Sequence, residues 1–386
     1  MADHKPVAVV VIPTYNEADS IGAMIDHLFT KTFPAISDWH MMVLVVDDTS
    51  PDGTYKVVQE KQKKFKDLHL SLSKTKAGIG GAYVRGFKYS MSELNADVVI
   101  EFDGDFQHPP ETIPLMLDRI KAGDDYVLGS RKIAGGENPK GWGFKRLFFS
   151  EFGGFVARMI LFFPTKKFFQ VTDPTTGLKA SRVKGFVDKM DMDNLISNSF
   201  AYKLEFLFKM SKLGAKISEV PLKFQLRESG ASKIEPQTAK DIFRTVILLR
   251  LKDDTTKKFI KFGTVGFIGY VVNATGLSFF FNLWKVEWLA WLASTEVSIV
   301  SNFTWNNLWT FKDSQMTTPF MIAKKFIQFN LTSIGALLIQ TTAGTSLVHL
   351  TGLNRQIILP FVIVFLVLPY NWFMYNKVIW KKKYKK

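Results

Sequence analysis

The stretch "EFDGDFQHPP", residues 101–110, sets Asp103 and Asp105 one residue apart after the apolar run Val98–Val99–Ile100. A lone carboxylate is costly to bury, so acids at the end of a buried strand are normally paired, hydrogen-bonded or metal-bound. The bland reading is a polar Asp-Gly turn. The sharper one is a metal–diphosphate site. Hard divalent cations such as Mg²⁺ or Mn²⁺ take one or two carboxylates and complete their shell with substrate phosphates. Asp103 and Asp105 are therefore candidate metal ligands, and Gln107 can add a neutral oxygen.

Two further segments carry polar groups after apolar runs. "IPTYNE" (12–17) offers Pro13, Tyr15 and Glu17, and "VVDDTSPDGT" (45–54) offers Val46, Asp47 and Asp48. Tyr15 is placed to flank a nucleotide base, with Glu17, Asp47 or Asp48 accepting its N–H groups or ribose hydroxyls. Asp52–Gly53 reads as a turn or helix start. "KAGIGGAY" (76–83) lacks the spacing of a phosphate loop, so its glycines are assigned to close backbone packing. His108 is assigned to orienting its loop. Glu205 reads as a solvated or capping helix carboxylate rather than a base. Thr172–Asp173–Pro174 either shapes an acceptor mouth or is a plain turn.

The elements that must hold these residues form two halves with different solvents. Up to about residue 230, short apolar runs (7–12, 41–46, 68–72, 98–102, 126–128) alternate with amphipathic stretches. That pattern predicts a mostly parallel α/β sheet covered on both faces, with ligands beyond the carboxyl ends of its strands. From about residue 259 four long apolar segments follow, near 262–284, 288–310, 326–350 and 357–379. Each is long enough to cross a bilayer as a helix. In the second, Asn302, Asn306 and Asn307 are expected to bond to neighbouring helices. Lysines at 257, 258 and 261, at 312, 324 and 325, and in "KKKYKK" put both termini and the first half on the cytoplasmic side. Residues 142–170 and 237–251 mix aromatic and basic residues and predict amphipathic helices lying in the interface. The boundaries expected are 1–235, a linker at 236–258, and a membrane domain at 259–386.

Composition removes several classes. There is no cysteine among the 386 residues, so disulfides, thiolate zinc sites and cysteine nucleophiles are excluded. The N-terminal apolar run is too short for a secretory signal. Lys and Arg exceed Asp and Glu by 15. That charge flanks the membrane segments instead of forming one soluble stripe, which argues against nucleic acid as a partner.

The ordered set "IPTYNE", "VVDDTSPDGT", "KAGIGGAYVRGFK", "DGDFQHPP", "LGSR", "DPTTGLKAS" and "RESGASK" resembles the family-2 glycosyltransferases, most of all the dolichyl-phosphate mannose synthase and polyprenyl-phosphate glycosyltransferase branch. Residues 259–380, with "SNFTWNNLWTFKD", resemble the GtrA-like membrane domain. The resemblance implies a GT-A fold that moves a sugar from GDP-mannose, or alternatively UDP-glucose, to dolichyl or another polyprenyl phosphate. It implies that Pro13, Tyr15, Glu17, Val46, Asp47, Asp48, Asp103 and Gly104 hold the nucleotide. Asp103, Asp105 and Gln107 would hold Mg²⁺ or Mn²⁺. Arg131, Arg146 and Ser150 would meet donor and acceptor phosphates, and Arg227 and Lys233 would close over them. Gly104 departs from the family, where alanine is frequent. A catalytically dead flippase or binding protein is a rival that the intact acidic pair opposes. A processive synthase is another, opposed by the absence of a Gln-x-x-Arg-Trp stretch after residue 200.

Overall fold

The computed structural model describes residues 5–226 and 236–381. It divides into two units, Met1–Leu251 and Lys252–Lys386.

In the first unit, seven strands form one sheet: β1 (Val7–Thr14), β2 (His40–Asp47), β3 (Leu68–Leu72), β4 (Val98–Glu101), β5 (Tyr126–Ser130), β6 (Lys179–Arg182) and β7 (Ile217–Pro221). Their order is β3-β2-β1-β4-β6-β5-β7. All neighbours run parallel except β6, which is antiparallel to both β4 and β5. The mostly parallel sheet is thus as expected. The chain runs outward on both sides of β1, so a crevice opens beyond the β1, β2 and β4 ends, where ligands bind in such sheets.

Alternation along β1 explains why both faces must be covered. Val7, Val9 and Val11 enter one apolar cluster and Ala8, Val10 and Ile12 the other. Side chains of a strand point alternately to its two faces, and here neither face is left to water. The helices α1 (Ala18–His27), α2 (Thr54–Gln62), α3 (Gly78–Ser92) and α4 (Thr112–Lys121) return the chain between strands. α3 crosses β1 and β2 closely, since a Cβ at Gly86 would lie 2.5 Å from Val11 Cγ1. At its start, Gly80 donates its N–H to the Asn198 carbonyl at 2.8 Å. The glycine-rich stretch is therefore used in packing.

α5 (Phe144–Phe162) and the short α6 (Lys167–Gln170) precede β6, and α7 (Tyr202–Lys212) precedes β7. α5 buries Ala157, Leu161 and Phe162 in the core. Its other side exposes Phe144 (81 %), Phe148, Phe149, Phe152 and Phe155. α8 (Pro236–Lys252) likewise buries Val246 and Leu249 and exposes Phe243 and Leu251. Both helices pack on the sheet domain through one side only.

The second unit is helical: α9 (Asp254–Trp284), α10 (Glu287–Trp305), α11 (Pro319–Thr351), α12 (Arg355–Val362) and α13 (Leu368–Met374). Among the described residues, three stretches are long and apolar enough to cross a membrane, namely Asp254–Trp284, Pro319–Thr351 and Ile357–Ile379. Four were expected. α10 is a helix of 19 residues, but its hydroxyl and amide side chains dilute its apolar character. It runs antiparallel along α9. Gly269 faces Asn302 and Gly276 faces Ser294, at separations that leave almost no room for a Cβ at Gly269. Ser298 Oγ donates to the Gly269 carbonyl at 2.8 Å.

Of the three asparagines, Asn307 reaches the loop at Met316 and Trp380 at the end of the last helical stretch rather than a helix interior, and Asn302 Oδ1 finds no hydrogen-bond partner among the described residues. Asn307 Oδ1 accepts from Met316 N at 2.9 Å and from Trp380 Nε1 at 3.1 Å, and its Nδ2 donates to the Met316 carbonyl at 3.1 Å. Asn306 departs from the expected bond to a neighbouring helix. Its Nδ2 donates back to the Asn302 carbonyl of its own helix at 2.8 Å, where an amide one turn along reaches the main chain first.

Candidate functional site

Loops after β1, β2 and β4 bring the acidic motifs to one edge. The first two loops brace each other: Asn16 N bonds to Ser50 Oγ at 3.1 Å, Glu17 N to Thr54 Oγ1 at 3.0 Å, and Ala18 N to Asp52 Oδ2 at 3.0 Å. Asp52 lies in the turn before α2, where its Oδ1 accepts from Thr54 N at 3.0 Å, in keeping with its turn reading. Tyr15 faces this edge with Lys76 Nζ 3.6 Å from its ring centre.

Asp47, Asp48 and Val46, assigned from sequence to the nucleotide, lie at this edge and are also engaged by the protein itself. Asp47 is wholly buried. Its oxygens accept from Thr14 Oγ1 (2.8 Å), Ser50 N (2.8 Å) and Ser50 Oγ (2.6 Å). It shapes the loop from beneath. Asp48 is held by Arg85 Nη2 at 2.6 Å, which fixes the same loop to α3. Val46 packs its side chain towards Gly86, so it can offer a ligand main chain alone.

The Asp-Gly-Asp turn rests on a buried polar network. Tyr83 OH donates to Asp103 Oδ1 at 3.1 Å, and Lys203 Nζ lies 3.9 Å from the same oxygen. His108 Nδ1 is 3.4 Å from Asp103 Oδ2. Behind them, Lys203 Nζ donates to the Gly177 carbonyl (2.9 Å), Lys179 Nζ to the Lys203 carbonyl (2.7 Å), and Tyr202 OH to Glu101. Lys203 thus lies between the carboxylates of Glu101 and Asp103, 3.9 Å from each. Burial pushes the Lys179 ammonium down to about 8. Lys203, Lys179 and Tyr83 had no assignment from sequence. Their only local signal was a lysine within "GLKAS".

Asp103 keeps 28 % of its side chain exposed, while Asp105 is 6 % exposed and its Oδ1 accepts from Gln107 N at 3.1 Å. Phe106 between them and Gln107 has φ +58°, a left-handed conformation that a non-glycine residue adopts at some cost. A Cβ at Gly104 would lie 3.1 Å from Ile12 Cγ2, so the alanine frequent in the family would fit tightly. Among the described residues no group of three or more His, Asp or Glu side chains is arranged to hold a metal. Two carboxylates with an amide oxygen nevertheless suit a Mg²⁺-class ion whose remaining ligands are substrate phosphates and water.

His108 is 1 % exposed and both ring nitrogens lack a hydrogen-bond partner. Burial lowers its pKa from 6.5 to about 4, against the opposing pull of Asp103. The ring is neutral in the folded chain and charges in the unfolded one. Stability is therefore complete above pH 6.5 and is lost as pH falls towards 4, by ~3 kcal/mol at the lower end. Melting measured from pH 7.5 to 4.5 should show this slope, and His108→Phe should flatten it. An equal slope in both proteins would remove His108 as its source.

The basic residues gather at the start of α5. Arg131, expected to meet phosphates, is paired with Asp173 and 8 % exposed. Its main-chain N (3.1 Å) and Nε (2.6 Å) reach Asp173 Oδ2, and Nη2 reaches Oδ1 at 2.7 Å. Burial alone would raise the Asp173 pKa, but the Arg131 charge and hydrogen bonds hold it below the usual range. Arg131 Nη1 points to Ser150 Oγ at 3.5 Å. The Arg146 guanidinium lies 4.3 Å from the Trp142 ring centre. Arg131, Arg146 and Ser150 are thus brought together. Glu205 is buried, not solvated. It caps Ile196 N at 2.8 Å and pairs with Lys209 at 2.8 Å. Arg227 and Lys233 lie outside the described residues.

Comparison with known proteins agrees with this geometry. The Glycosyl transferase family 2 pattern matches residues 9–181, and the GtrA/DPMS transmembrane domain matches residues 261–380. A dolichol-phosphate mannosyltransferase of Pyrococcus furiosus is 34% identical over 317 residues, 82% of this chain and 84% of its own. The chain belongs to the family-2 glycosyltransferases, in the polyprenyl-phosphate mannosyltransferase branch. An undecaprenyl-phosphate mannosyltransferase of Micrococcus luteus is 34% identical to this glycosyltransferase over 226 residues, 58% of this chain and 86% of its own. Among solved structures, glucosyl-3-phosphoglycerate synthase from Mycobacterium tuberculosis with Mn²⁺, UDP-glucose and phosphoglyceric acid aligns at TM-score 0.46 and 16% identity, over 64% of this chain and 80% of that one.

Proposed function

We propose that this enzyme transfers mannose from GDP-mannose to dolichyl or another polyprenyl phosphate, with inversion, on the cytoplasmic face of a cell membrane. The observation that carries the reading is the meeting of two chemistries at one edge. Asp103, Asp105 and Gln107 form a hard-oxygen turn, and Gln225 N donates to the Gln107 carbonyl at 2.9 Å. The next residue back, Phe224, packs on Trp142, beside Arg146 and Arg131.

Asp105 and Gln107, with Asp103, would hold Mg²⁺ or Mn²⁺, which when bound offsets the charge of the leaving nucleoside diphosphate. Tyr15 flanks the base, and Glu17 lies beside it on the same loop. The acceptor is a lipid phosphate, already anionic at neutral pH, so it attacks without a strong general base. The new bond joins a phosphate oxygen to the sugar's anomeric carbon, and the bond from that carbon to the nucleoside diphosphate breaks. Arg146 and Ser150 hold the acceptor in line against its repulsion from the donor, with Arg227 and Lys233 as the closing pair.

Membrane placement follows the same physics. The phenylalanines of α5 suit the headgroup boundary, where aromatic side chains are favoured. α10 runs antiparallel to α9, so a spanning α9 brings α10 across as the fourth crossing. Four crossings with lysine-rich loops on one side leave both termini cytoplasmic.

The test is a donor panel. The protein in nanodiscs with Mn²⁺ and undecaprenyl phosphate is offered labelled GDP-mannose, UDP-glucose and UDP-GlcNAc separately. Label should enter the lipid phase from GDP-mannose. Label from UDP-glucose alone would move the enzyme to a glucosyl branch, and no transfer from any donor would overturn the reading.

A further inference from the structure

The acceptor arginines are joined by an aromatic residue that no motif covers. Trp142 lies one turn before Arg146, in a turn closed by its own N–H to the Pro139 carbonyl at 3.1 Å, and Gly143 then caps α5. Its ring centre is 4.3 Å from the Arg146 guanidinium carbon and 5.6 Å from that of Arg131. Phe224 meets the Trp142 ring edge-on at 5.8 Å and lies 5.7 Å from Arg131. Arg131 is in turn fixed by Asp173. The order Asp173, Arg131, Trp142, Arg146 leads from a buried carboxylate to the guanidinium at the start of α5.

From this we infer that Trp142 is a positioning residue for the acceptor phosphate, holding Arg146 ready to bind a phosphate monoester. Arg131 is already fixed by Asp173, so a ring shared with it passes that order on to the Arg146 guanidinium. The face of an indole attracts a cation, more strongly than tyrosine or phenylalanine. Sharing one ring keeps Arg146 beside Arg131 before any anion arrives. The gain appears in binding of the acceptor, because the ordering of Arg146 no longer has to be supplied by the ligand. The inference rests on the acceptor role of Arg146 proposed above.

The experiment uses the full chain in nanodiscs with undecaprenyl phosphate and labelled GDP-mannose, varying each in turn, with GDP binding measured by calorimetry. Trp142→Ala should raise the KM for the lipid phosphate roughly tenfold, while the KM for GDP-mannose and the GDP affinity stay within about twofold. Trp142→Phe should recover most of the loss, and Trp142→Leu, which fills space without a π face, should not. The Phe and Leu variants decide the matter if the Ala variant fails to fold. An unchanged lipid KM, an equal rise in both KM values, or equal behaviour of Phe and Leu would overturn the inference. Arg146→Ala is run beside them. If it too leaves the lipid KM unchanged, the acceptor assignment of Arg146 itself falls. If it raises that KM while Trp142→Ala does not, only the role of Trp142 falls.

Discussion

Asp105→Asn should lower the transfer rate by roughly 10³-fold while leaving the protein folded and able to bind GDP weakly. The substitution keeps the size and the bond from Gln107 N, so the turn keeps its shape. What it removes is one negative charge on an oxygen donor that is nearly enclosed by protein. In such a place a cation's ligand is not replaced by water without cost, and the leaving diphosphate loses its partner as charge develops. Label in the lipid extract gives the rate, and a melting curve gives the fold. Full activity of Asp105→Asn across a Mn²⁺ titration would sink the metal assignment.

Asp173→Asn is the second large effect, and it is one of stability. Arg131 donates two side-chain bonds and one main-chain bond to a carboxylate that water hardly reaches. Removing the charge leaves a guanidinium buried without its counter-ion, which costs about 3–5 kcal/mol. For a unit of this size that corresponds to a fall in Tm of roughly 10 °C. The double replacement Arg131→Gln with Asp173→Asn should recover part of it, because two neutral amides do not carry the penalty of one unpaired ion. The pH dependence has a definite sign. The folded Asp173 pKa is held below the usual 3.8 of a free aspartate, so its stabilisation is complete above that pH and is lost as the pH falls through the folded pKa. An unchanged Tm in the single variant would show that the pair contributes nothing.

The cleft was legible because apolar runs end abruptly in polar ones at Ile12, Val46 and Phe102, and a parallel sheet converts such endings into one edge. β6 was not legible. Its sequence, Lys-Ala-Ser-Arg, carries two cations, and its first residue is wholly buried. A cation is accepted there because carbonyls and Glu101 arrive from other elements, and no local pattern announces partners that distant. The same limit applies to the protein partners of Asp47 and Arg131: residue type gives their charge, but Thr14 and Asp173 reach them from distant positions in the chain. In the helical unit, α10 was recognisable as a helix. Its hydroxyl and amide residues hid the fact that Gly269 makes room for them on α9.

The aromatic side of α5 also has a consequence in time. Every described residue of the site precedes Leu251, whereas the first candidate span begins at Asp254 and ends at Trp284. A ribosome adds about 5–20 residues per second, and domains fold as units while synthesis continues. On the order of ten seconds therefore separates the synthesis of Phe144 from completion of that span. During this interval five phenylalanines of α5 face water on a nascent chain whose first candidate span among the described residues is not yet made. Such a chain is at its most adhesive before it is finished. Its production should depend on early delivery to the membrane, or on a chaperone that covers α5 until the first span is made.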